Sequence, residues 1–100
     1  MIRVIVINTQ NETANAYDFK QDTLALNYVT KLYHIPPQSR FMVPVMVYDY
    51  FGADKYIVNK ISDMISAMLP SDRETMEMWM EYDLYFHTKG EKLRTWKKRN

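Results

Sequence analysis

The chain has 100 residues and a mass near 12.0 kDa, which is the size of one domain. Apolar residues make up 47% and charged residues 25%, and glycine and proline together number only six, which excludes a disordered, collagenous or low-complexity chain. Cysteine is absent, so disulfides, thiolate zinc sites, thiol nucleophiles and redox motifs are excluded, while the formal net charge of +1 hides a strong internal asymmetry.

Residues 89–100 carry Lys89, Lys92, Arg94, Lys97, Lys98 and Arg99 against Glu91 alone, a net charge of +5. The first 88 residues hold seven basic and eleven acidic side chains, a net charge of −4. A split of this kind points toward a charged partner. The expected organisation is a compact domain over residues 1–88 followed by a basic C-terminal segment.

Along the chain, Arg3 to Ile7 reads as a short buried strand, because Val4, Ile5, Val6 and Ile7 are all β-branched. The early apolar run is too short for a secretory signal, and no window approaches the length of a membrane span. A cytoplasmic protein with no membrane contact is expected. Asn8 to Asp22 is polar and reads as loop or partial helix. A helix capped by Asp22 or Thr23 follows, with Leu24, Ala25, Tyr28, Val29, Leu32 and Ile35 on one face. Pro36 and Pro37 end it.

Phe41 to Phe51 reads as a strand, in which Pro44 should mark an edge, a bulge or the strand start. Asp54 then caps a second helix whose stripe is Ile57, Val58, Ile61, Met64, Ile65, Met68 and Leu69. Pro70 stops that helix. Residues 71–88 carry two conflicting signals. Ser71-Asp72-Arg73-Glu74 is a capping box, which favours helix. Met76, Met78, Met80, Tyr82, Leu84 and Phe86 alternate with Glu77, Trp79, Glu81, Asp83 and Tyr85, which favours strand. The strand is the expectation adopted, with a short final strand over Leu93 to Trp96 after the Lys89-Gly90 turn.

The predicted fold is α+β, with the order β-α-β-α-β-β and two amphipathic helices covering a small mixed sheet. Pairing of the first two of these strands through the first helix would make them parallel. Their C-terminal ends would then gather Asn8, Thr9 and Gln10 with Asp49 and Tyr50, the edge at which open sheets bind ligands. One carboxylate there supplies neither a paired acid and base nor a metal site.

No catalytic constellation is visible. His34 and His87 stand in no ligand spacing, and the only glycines, Gly52 and Gly90, form no phosphate loop. His34 closes a helix, where a cation is favoured by the dipole. The acidic cluster of Asp72, Glu74, Glu77, Glu81 and Asp83 reads as a solvated face. No cofactor or metal is expected. The composition, free of cysteine and rich in Asn and Tyr, is of a style common in small proteins of viruses and phages.

Two partner classes follow. In the first, nucleic acid is contacted by Lys89, Lys92, Arg94, Lys97, Lys98 and Arg99, with Trp96 stacking on a base. In the second, the chain is a protein-directed inhibitor or adaptor. There Glu77, Trp79, Glu81, Tyr82, Asp83 and Tyr85 form the contact patch. An edge strand in that region could also pair with a twin and make a homodimer.

Overall fold

The computed structural model describes residues 1–49 and 52–69, and the backbone of 95–97. The expected strand at 71–88 lies outside the described residues. Within them the element order is β1 (Ile2–Asn8), β2 (Thr13–Phe19), α1 (Asp22–Tyr33), β3 (Met42–Asp49), α2 (Lys55–Met68) and β4 (Thr95–Lys97). A short 3-10 turn, Pro37–Ser39, joins α1 to β3. The class is α+β, with strand order β3-β1-β2-β4.

The sheet corrects the expected topology. The polar stretch after β1 is a strand, not a loop or partial helix. It pairs antiparallel with β1 in unbroken register from Ile2↔Phe19 to Asn8↔Thr13. The turn is built by Asn8, whose Oδ1 accepts hydrogen bonds from the N–H groups of Gln10 (3.0 Å) and Asn11 (3.0 Å). Glu12 completes it in the left-handed region, at φ 56°. A strand of sequence Thr-Ala-Asn-Ala-Tyr-Asp-Phe is hard to read because its inward positions on one face are alanines, not β-branched residues.

This hairpin reverses the chain before α1 begins. β3 therefore pairs antiparallel with β1, from Ile2↔Asp49 to Asn8↔Met42, and the described pairings are antiparallel throughout, not mixed. The helical crossover does join two parallel strands. They are β2 and β3, with β1 lying between them. Ile5 pairs with Met46 and Val6 with Pro44, so Val45 is bulged out. Pro44 thus sits beside a bulge on an edge strand, where its missing N–H is tolerated.

β1 is central, and Ile2 through Ile7 are all buried. Its even-numbered positions, Ile2, Val4 and Val6, pack against Ala25, Val29, Ala53, Ile61 and Ile65. Its odd positions, Ile5 and Ile7, pack on the second face with Ala14, Ala16 and Val45. The helices both lie on the first face. α2 follows its expected stripe, and Asp54 caps it by accepting from the Tyr56 N–H at 2.9 Å. α1 departs from its expected stripe and from its expected caps. Gln21 occupies the N-cap position with no side-chain cap bond. Leu24 is 51% exposed and Ile35 lies beyond the helix, whereas Leu26 turns inward. The cause is a second packing surface: α2 lies alongside, and Thr30 Oγ1 reaches Met64 Sδ at 3.7 Å. Tyr28 on the opposite flank covers Tyr17 and Phe19, with ring centroids 5.8 and 5.5 Å apart.

One charge is inside. Arg3 is 1% exposed, and its Nε and Nη2 donate to Asp18 Oδ1 (2.7 Å) and Oδ2 (3.1 Å) across the β1–β2 register pair. The bidentate geometry satisfies both carboxylate oxygens. Asp18→Ala removes both of these bonds from the buried guanidinium and is expected to lower stability by about 1–2 kcal/mol in urea unfolding. The paired change Arg3→Met with Asp18→Leu is expected to recover most of that loss.

Candidate functional site

The register separates residues that sequence reasoning brought together. Asn8 lies opposite Met42 on β3, while Asp49 lies opposite Ile2 at the far end of the same strand pair. The expected cluster of Asn8, Thr9 and Gln10 with Asp49 does not form, and Tyr50 lies outside the described residues. The reason is the hairpin: an antiparallel β1–β3 pair puts their C-terminal ends at opposite ends of the sheet. Each residue has a structural task instead. Asn8 builds the turn, and Thr9 donates its N–H to the Phe41 carbonyl at 2.8 Å. Asp49 Oδ1 accepts from the Ala53 N–H at 2.8 Å.

Of the basic segment, Thr95, Trp96 and Lys97 form β4, which pairs antiparallel with the start of β2. A final strand is thus present, starting two residues and ending one residue later than expected. The register sets Lys97 opposite Thr13, Trp96 opposite Ala14 and Thr95 opposite Asn15. Lys89, Lys92, Arg94, Lys98 and Arg99 lie outside the described residues. So do Glu77, Trp79, Glu81, Tyr82, Asp83 and Tyr85, the acidic cluster, and His87.

The topology gives the molecule two chemically different ends. β1 leads into the Asn8–Thr13 turn at one end, and α1, running back over the sheet, finishes at that same end. Both helices start at the other. There Asp22 Oδ2 accepts the Asp54 N–H at 2.7 Å, and its Oδ1 lies 3.5 Å from the amino group of Met1. Asp18, Asp22, Asp49 and Asp54 all belong to this starting end, four of the six carboxylates in residues 1–69. Toward the turn end lie Lys31, Arg40 and Glu12, with Asp63 one residue before Met64, which meets Thr30.

At the turn end an open groove of about 400 Å³ runs between the last residues of α1 and α2. Tyr33, Ile35, Pro37, Arg40 and Met68 are among its lining residues. Arg40 organises it. Nε donates to the Leu32 carbonyl (3.0 Å), and Nη2 to those of Tyr33 (3.2 Å) and Ile35 (2.6 Å). The Leu32 carbonyl also accepts the Ile35 N–H at 3.1 Å, so the guanidinium adds a second donor there, bonds the Tyr33 and Ile35 carbonyls, and offsets the helix dipole. His34 ends the same helix as expected, its N–H bonded to the Thr30 carbonyl at 3.2 Å and its ring edge-on to Tyr33 at 5.8 Å. Tyr33 and Phe41 are each 42% exposed on either side of the Arg40 staple. Sequence reasoning read Pro36-Pro37 only as a helix stop. The available signal was an Arg four residues after Pro36, followed directly by Phe41.

Among the described residues no group of three or more His, Asp or Glu is placed to hold a metal ion. Likewise no described helix is long and apolar enough to cross a membrane. Comparison with known proteins returns no match: no family model, no curated protein and no solved structure is significantly similar to the chain.

One titration reports on the first face. Burial, and secondarily the neighbouring Tyr17, pushes the Tyr28 phenol up to about 12. A raised folded-state pKa contributes stability that is complete below about pH 10, the unfolded value, and lost as pH rises toward 12. Ultraviolet titration is expected to show one late-ionising tyrosine, absent in Tyr28→Phe. The fall in thermal stability between pH 10 and 12 is expected to be shallower in that variant.

Proposed function

We propose that the protein is a non-catalytic binding protein that contacts nucleic acid through its basic C-terminal segment, residues 89–100. The observation that supports this reading most is the position of β4. The strand ties Thr95–Lys97 to the outer edge of β2, antiparallel to it, so the backbone passes Lys97 toward the turn end. That end carries Lys31 and Arg40, whereas at the opposite end four aspartates stand beside Arg3, Lys20, Lys55 and the Met1 amino group.

Lys97 and Trp96 are successive positions of β4, in register with Thr13 and Ala14. In this reading the basic residues supply phosphate contacts and Trp96 stacks on a base.

The test is fluorescence anisotropy with labelled nucleic acid over a range of salt. Neutralising about five phosphates on duplex DNA gives a log–log salt slope near −4 to −5. The full chain is expected to show that slope. Changing Lys92, Lys98 and Arg99 together to Gln is expected to flatten it by about 3. A full chain that binds no nucleic acid at low salt overturns the reading.

A further inference from the structure

We draw no further inference here: the strongest candidate, the open groove between the ends of α1 and α2 that Tyr33, Arg40 and Met68 line, carries nothing, because the charges around it balance and nothing in the structure shows what covers it.

Discussion

Everything in this fold depends on the burial of β1. The strand has a neighbour on each side and apolar packing on each face, so Ile2 through Ile7 have no contact with solvent. Each fully buried β-branched side chain contributes roughly 1.5–3 kcal/mol relative to exposure. A strand with every position buried cannot slip by one residue without exchanging its two cores. Arg3 sharpens this constraint. Its bidentate partner, Asp18, is its register pair on β2, so a slip would break both of these bonds to a buried guanidinium.

From that register the distribution of charge follows. Fixing β2 and β3 on either side of β1 decides which loops share an end. The helices run parallel, with their starts joined through Asp22 and Asp54 and their ends bordering one groove. Aspartates gather at the helix starts because carboxylates satisfy free N–H groups and suit the positive end of the dipole. An arginine gathers at the helix ends for the converse reason. The placing of these groups along the sheet is thus a by-product of capping chemistry.

What the sequence reveals divides along physical lines. β1, α1, β3 and α2 are legible because each carries a strong local signal: a β-branched run, a 3.6-residue stripe, a proline stop or an Asp cap. Pro44 signals an edge, a bulge or a strand start, and the structure places a bulge beside it at Val45. β2 was not, since its alternation uses Ala14 and Ala16, small residues that fit under neighbouring side chains but give little propensity. Missing one hairpin inverted the inferred β1–β3 pairing and so created a false site joining Asn8 to Asp49. Register is a long-range property, and no local pattern in this chain encodes it. The α1 stripe erred in a related way. Leu24 and Leu26 are equivalent to a hydropathy count, and only the lateral contact with α2 decides between them.

The groove at the turn end was illegible for a different reason. Tyr33 and Phe41 are eight residues apart and lie on different elements, and aromatics in a chain with fourteen of them carry no individual signal. What distinguishes them is exposure on a rigid frame, a property of the folded chain alone. Arg40 accounts for the frame, since it donates to three carbonyls at and just beyond the end of α1. The rings on that frame stay 42% exposed, while Tyr17, Phe19 and Tyr28 pack together on the sheet. More than half of each ring is covered, so truncating either one removes apolar burial from the fold as well as an exposed face.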